Sequence, residues 1–294
     1  MNPRKRLQEQ SGQHALVDGI PFTLPVRCTK SPVLMALFPI NADKARGFMP
    51  GKEVSPLRFR DRGLLVVTVI DYQSTPIGRY IEYSVGIACN HGADTGSISP
   101  AEWLTKGVDI GQYVIELPVS SEISVKGGKG IWGMPKRQGS LNFVVGERTV
   151  SSQYDVDGAL FAYIEMERPA HLLVPLRMSA ANFCAFRGML MKSRIFFEGR
   201  AGVCLLESAR ARFVLGDHPR AERMKDLEID QKALMTAFIP SADGLLDDHI
   251  ESWFLTYDQA PSEVPEGMES VMALGLSEAW PPAPTAPVPG TPVA

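Results

Sequence analysis

Lys136 stands in the run Gly127-Gly128-Lys129-Gly130-Ile131-Trp132-Gly133-Met134-Pro135-Lys136-Arg137-Gln138-Gly139. Glycines, a tryptophan, a methionine and a proline surround two adjacent cations. Burial among such neighbours disfavours the ammonium form of a lysine, and a second cation close by disfavours it further. The neutral amine that results attacks carbonyl carbons. Schiff-base chemistry is therefore one reading of the run; an ordinary loop lysine with its charge in water is the other. Arg137 is the second cation, and its guanidinium stays protonated at any cellular pH. Within about 6 Å of the Lys136 amine it would favour the neutral form. Neighbours on an extended strand point to opposite faces, so that placement needs a turn or bulge, for which Pro135 and Gly139 are suited. Otherwise Arg137 is a surface ion-pair partner.

Glu82 is the third candidate. It sits in Tyr80-Ile81-Glu82-Tyr83, inside a run that is otherwise apolar or small through Cys89. With period two, Tyr80, Glu82 and Ser84 share one face of a strand and Ile81, Tyr83 and Val85 share the other. A carboxylate there is either a solvated edge charge or the acid–base group of an enclosed site. Tyr80, Trp132 and Met134 are candidates to line that site, and equally to be plain core. Other signals are weaker. The five histidines show no metal-ligand spacing, so no metal is expected. The run Lys126-Gly127-Gly128-Lys129-Gly130 lacks the spacing of a phosphate loop. Neither Ser120 nor Ser121 has a nucleophile-elbow context.

The elements that must hold these residues read mainly as strands: 32–40, 63–72, 79–90, 112–119, 139–146, 150–156 and 159–166, with 190–197 and 203–215 as further candidates. They are rich in Val, Ile, Leu, Phe and Tyr and mostly bounded by turn formers. Asp157-Gly158 between two of them signals a hairpin. The apolar stretch 180–186 takes no assignment. Short helices are expected over 42–49, with Asn41 as N-cap, and over 120–126, just upstream of the lysine run. Residues 219–227 and 230–237 carry mixed helical signals. This is an α+β pattern, mostly β, built around one large antiparallel sheet with a few short helices. Residues 1–20 read as a flexible N-terminus, 21–260 as a single domain and 261–294 as a Pro-rich, disordered tail.

Of the 294 residues, 45% are hydrophobic and 21% charged, and the net charge is −3. That balance gives no reason to expect binding to nucleic acid or to an anionic membrane. No apolar run reaches the roughly 20 residues that span a bilayer, and the basic start lacks the apolar segment of a secretory signal. Cys28, Cys89, Cys184 and Cys204 are widely spread and read as reduced, mostly buried thiols of a cytoplasmic protein.

Together these residues resemble the acetoacetate decarboxylase family. Pro135-Lys136-Arg137 is similar to the Pro-Lys-Lys that carries that family's Schiff-base lysine, and Tyr80-Ile81-Glu82 to its Tyr-x-Glu. The segment Val214-Leu215-Gly216-Asp217-His218-Pro219 also resembles the family, and the similarity runs over about 25–258. The resemblance implies a curved, barrel-like sheet, a homo-oligomer and no organic or metal cofactor. It implies Lys136 as the imine-forming nucleophile, Arg137 in place of the second lysine, Glu82 as the active-site glutamate, and Arg27 as a substrate-positioning arginine that matches only with a gap. It implies a small-molecule keto acid as substrate. Decarboxylation of a β-keto acid leads. Aldol or dehydratase chemistry on a 2-keto acid follows, then a binding relative without turnover. The run before Lys136 departs from the Gly-Arg-Glu and Tyr-Pro of the decarboxylases, which marks a variant site.

Overall fold

The computed structural model describes residues 12–92, 110–169, 174–257, 259, 271 and 274–290. Its strands are β1 (Gln13–Val17), β2 (Ile20–Leu24), β3 (Val26–Asn41), β4 (Val54–Pro56), β5 (Arg58–Phe59), β6 (Arg62–Tyr72), β7 (Tyr80–His91), β8 (Ile110–Val119), β9 (Lys136–Gln138), β10 (Ser140–Leu141), β11 (Val144–Val145), β12 (Thr149–Val156), β13 (Ala159–Glu167), β14 (Val174–Phe186), β15 (Met189–Leu205), β16 (Ala211–Leu215), β17 (Met235–Leu246) and β18 (Glu251–Phe254). The helices are α1 (Ala42–Arg46), α2 (Glu122–Trp132) and α3 (Pro219–Lys225).

Seven strands close into a barrel in the order β7-β6-β3-β17-β15-β14-β8, with β8 pairing back onto β7. All neighbours are antiparallel except β14 and β8, which run parallel. The short β9 adds to β8 in parallel, with Lys136 opposite Leu117. A second sheet, β10-β12-β13-β16 with β11 beside β12, lies against one side of the barrel. The expected mostly β architecture with a barrel-like sheet is therefore what the chain forms.

Strand parity decides what each wall faces. Leu34, Ala36 and Phe38 of β3, Leu65, Val67 and Val69 of β6, and Ile81, Tyr83 and Val85 of β7 pack in one cluster with Val150, Phe161 and Ile164 of the second sheet. The alternate residues, Met35, Val66, Thr68, Ile70, Glu82 and Ser84, line a cavity inside the barrel. Both faces of these strands are covered, which is why they read as near-continuous apolar runs.

Several expectations are corrected. The candidate strands 190–197 and 203–215 divide differently: β15 runs unbroken to Leu205, and β16 starts at Ala211. The unassigned stretch 180–186 belongs to β14, paired along its length with β15. Residues 230–237 do not form a helix; they lead into β17. Asn41 does cap α1, accepting from the Asp43 and Lys44 N–H groups. The helix after Ser121 continues through all the glycines to Trp132 and closes on Gly133, whose φ of 63° suits a glycine. Tertiary contact outweighs the poor helix propensity of this stretch: a methyl on Gly127 would meet Phe22, and one on Gly130 would meet Val17. Those partners belong to the β1–β2 hairpin, so residues 13–20, expected to be mobile, are folded onto α2. Lys126 completes this contact through an ion pair with Asp18 at 2.8 Å.

Residues 274–290 of the Pro-rich end, which form no helix or strand, lie against the domain. Asp155 accepts from the Thr285 and Ala286 N–H groups at 2.9 and 3.0 Å. Gln138 and Gln153 donate to the Ala279 and Ala286 carbonyls, and Trp280 packs beside Arg79 and the main core. The basic start at Arg4-Lys5-Arg6, His171 and most of 258–273 lie outside the described residues. No helix among the described residues is long and apolar enough to cross a membrane. Because Asp155 is 2% exposed, Asp155→Ala should strand the strap's N–H groups and cost about 3 kcal/mol in urea unfolding.

Candidate active site

Two strand ends and one helix bring the candidate residues together. Glu82 points into the barrel from the start of β7. Lys136 opens β9, which pairing with the end of β8 holds alongside. The Lys136 side chain is 5% exposed and its Nζ lies 2.7 Å from Glu82 Oε2. The same amine donates to Ser124 Oγ at 3.0 Å, in the first turn of α2, and lies 5.3 Å from the centre of the Tyr80 ring. Gly128 gives the lysine stem its channel, since a methyl there would sit 2.4 Å from Lys136 Cδ. Helix α2 thus packs bare backbone against the lysine.

Glu82 is held from its other oxygen. Tyr72 donates its hydroxyl to Glu82 Oε1 at 3.3 Å, and the Tyr72 and Tyr80 rings lie 4.6 Å apart. Burial, with the Glu82 charge next, pushes both phenols well above their ordinary range. They therefore remain protonated donors. The nearby thiols behave alike: burial pushes Cys28 and Cys184 up to about 12, so neither is a nucleophile near neutral pH.

Glu82 also forms part of the cavity wall. The cavity measures about 60 Å3 and is mostly apolar, walled by side chains such as Val66, Ile70, Val114, Leu117, Met134 and Phe197. No Arg, Lys or His is among its described lining residues. Lys136 is not among those lining residues; its amine contacts Glu82, which is. Other lysines are buried too, but they have structural partners: Lys126 holds Asp18 and two carbonyls, and Lys192 holds Glu251. Lys136 differs in being paired to a carboxylate that faces a cavity. A buried ion pair adds little stability for its desolvation cost, so one placed beside a cavity is a functional candidate.

Of the residues singled out in the sequence, the structure brings together Lys136, Glu82, Tyr80 and Met134. Trp132 is one layer out, buried with Val114, Leu117 and Cys184 behind Met134. Arg137 is not in this site. β9 is extended, with no bulge, so Arg137 leaves on the opposite face and lines a separate cavity with Glu116, Arg220, Arg223 and Tyr257. Arg27 is not there either: it is exposed on the outside of β3, while its neighbour Cys28 points inward among Tyr72, Tyr80 and Phe197. Sequence reasoning missed Tyr72, Ser124 and Gly128. Tyr72 was within reach, since it has the same strand parity as Thr68 and Ile70. Ser124 lies within the helix expected over 120–126, but nothing local links it to Lys136; Gly128 needed the extension of that helix, which the glycines concealed.

A mostly β barrel with a buried lysine–glutamate pair at its wall defines the class of protein. The chain belongs to the acetoacetate decarboxylase family, whose model matches residues 9–189. Among solved structures, one of acetoacetate decarboxylase matches at 17% identity with a TM-score of 0.55, over 86% of this chain and 98% of that one. The acetoacetate decarboxylase of Legionella pneumophila matches at 13% identity and TM-score 0.53, over 84% of this chain and 94% of that one. The enduracididine biosynthesis enzyme MppR, complexed with pyruvate, matches at 13% identity and TM-score 0.55, over 80% and 92%. At these identities the solved structures establish the fold. No curated protein matches the chain.

The buried thiol next to this site has a measurable signature. The unfolded chain loses the Cys28 proton near pH 9.0 and the folded chain near 12. Its contribution to stability is therefore intact below pH 9.0 and is lost as pH rises toward 12. Cys28→Ala should flatten the alkaline decline in stability by up to about 1.4 kcal/mol per pH unit, read from urea unfolding between about pH 8.5 and 10.5.

Proposed function

We propose that the protein is a Schiff-base enzyme that decarboxylates a β-keto acid. The observation that carries this reading is the 2.7 Å pairing of buried Lys136 with cavity-lining Glu82. Glu82 is close enough to take a proton from the lysine and leave a neutral amine. The amine attacks the ketone carbon, and the carbinolamine loses water to give a protonated imine. The bond from the α-carbon to the carboxylate then breaks, carbon dioxide leaves, and the electron pair moves into the imine to give a neutral enamine. Proton return to that carbon and addition of water release the ketone and restore Lys136. Ser124 orients the amine, and Tyr72 orients Glu82.

The cavity favours decarboxylation in particular. Loss of carbon dioxide cancels the carboxylate and the iminium charge together, and apolar walls favour a step that removes charge. No cation among the described lining residues holds the carboxylate back. A second reading, aldol or dehydratase chemistry on a 2-keto acid, takes support from the fold shared with the pyruvate-bound MppR. It would use the same imine and lose an α-proton instead of carbon dioxide.

Borohydride trapping followed by mass spectrometry tests the shared step. Acetoacetate or a longer β-keto acid should add its reduced imine mass at Lys136, with carbon dioxide released in the untrapped reaction. Lys136→Ala should give no adduct. Glu82→Gln should slow imine formation by roughly 10²- to 10⁴-fold. Absence of an adduct with every keto acid would remove the proposal, and an adduct with pyruvate but no carbon dioxide from any β-keto acid would favour the second reading. Since Arg137 lies on the far face of β9, Arg137→Ala should leave the midpoint of the pH–rate profile in place; a displaced midpoint would return Arg137 to the mechanism.

A further inference from the structure

The cavity has a polar band that the chemistry at Lys136 does not use. Ser84 follows Glu82 on the same face of β7, one strand repeat or roughly 6.8 Å further along. Gln112 of β8 donates its Nε2 to Ser84 Oγ at 3.3 Å and to Asn182 Oδ1 of β14 at 3.0 Å. Three strands of the barrel thus contribute one continuous hydrogen-bonded chain to an otherwise apolar wall, and Thr68 stands opposite Ser84 in register on β6. Gly86 makes room for it, since a methyl there would meet Gln112 Oε1 at 2.5 Å.

The chain of amides is incomplete. Gln112 is 9% exposed, and its Oε1 is buried with no donor. The Asn182 Nδ2 has no acceptor among the described residues, and Asn182 is on the cavity wall. Unsatisfied amide groups are costly in an enclosed site. Apolar side chains would close this wall without that cost, so the polar band is matched to something that enters the cavity. The carboxylate of a β-keto acid lies only two bonds from the ketone carbon. That reach is much shorter than the roughly 6.8 Å repeat from Glu82 to Ser84, so a group meeting the polar band sits further along the substrate chain.

We infer that Gln112 and Asn182 select a keto acid whose chain carries a hydroxyl about one strand repeat from the ketone carbon. This rests on the Schiff-base reading of the same site. A hydroxyl both donates and accepts, so it satisfies either orientation of the amide pair. Acetoacetate carries one carbon beyond its ketone where 3-oxoheptanoate carries four, so the four-carbon acid leaves the band unfilled.

The test compares 3-oxoheptanoate with its 7-hydroxy analogue. Binding is first measured by calorimetry on Lys136→Ala combined with Glu82→Gln, which forms no imine and leaves no unpaired charge in the wall. The 7-hydroxy acid should bind roughly 10- to 100-fold more tightly than the plain acid, the range expected where a polar site loses its partner. Adding Asn182→Leu, or separately Gln112→Leu, should remove that preference while leaving the plain acid's affinity within about twofold. Circular dichroism checks that each variant folds, and the two-acid comparison on the Lys136→Ala, Glu82→Gln background stands by itself if either added substitution does not. Equal affinity for the two acids overturns the inference, whether or not wild type forms an adduct. A preserved hydroxyl preference with no borohydride adduct in wild type overturns the Schiff-base reading and leaves the recognition of the hydroxyl standing.

Discussion

Everything around the site depends on keeping Lys136 and Glu82 in contact away from water. Two opposite charges 2.7 Å apart attract far more strongly in an enclosed wall than at a surface, but each is expensive to desolvate. The barrel bears that cost by fixing both ends. Glu82 is locked by strand pairing and by the Tyr72 hydroxyl. Lys136 is locked by β9 pairing and by Ser124. Leaving either residue without the other would place an uncompensated charge in the wall, so the two are one structural unit.

Barrel closure is what makes that unit possible. β8 pairs with β7 along one edge and carries β9 along its end, so the strand bearing Glu82 and the strand bearing Lys136 share a neighbour. Helix α2 fills the connection between β8 and β9. Its bare glycines let the N-terminal hairpin press on one side and the lysine stem on another. The C-terminal strap then closes over the start of α2, where Glu122 accepts from the Gly275 N–H and Ser277 accepts from the Ile123 N–H. Segments distant in sequence thus converge on the helix that positions one amine.

Parity made much of this legible in advance. Alternation in β7 placed Tyr80, Glu82 and Ser84 together on one face, which the structure turns inward, and the strong strand runs marked most of the barrel walls. What stayed hidden was of two kinds. The Gly-rich stretch 127–130 has poor intrinsic helix propensity, and only the packing of Phe22, Val17 and Lys136 explains why it is helical. Contacts between remote segments, such as Ser124 with Lys136 or Asp155 with the strap, leave no local pattern. Proline-rich composition describes an unpartnered chain well, but composition carries no information about a partner surface such as the one around Asp155 and Gln153.

The adjacent cations separate two ways of tuning a lysine. Sequence adjacency suggests that Arg137 acts on Lys136 directly, yet an extended β9 sends consecutive side chains to opposite faces. Arg137 faces the cavity of Glu116 and Arg220, where Arg220 lies 3.4 Å from Glu116, and it contributes to the surroundings of Tyr154. Its charge is therefore set among other charges behind the strand, while the groups touching the amine are a carboxylate, a hydroxyl and an aromatic face. The contacts of the amine in this chain come from β7 and α2, and none comes from its neighbour in sequence. The same geometry keeps the two cations apart although they are neighbours in sequence: across the strand the Arg137 guanidinium does not share the space around the Lys136 amine.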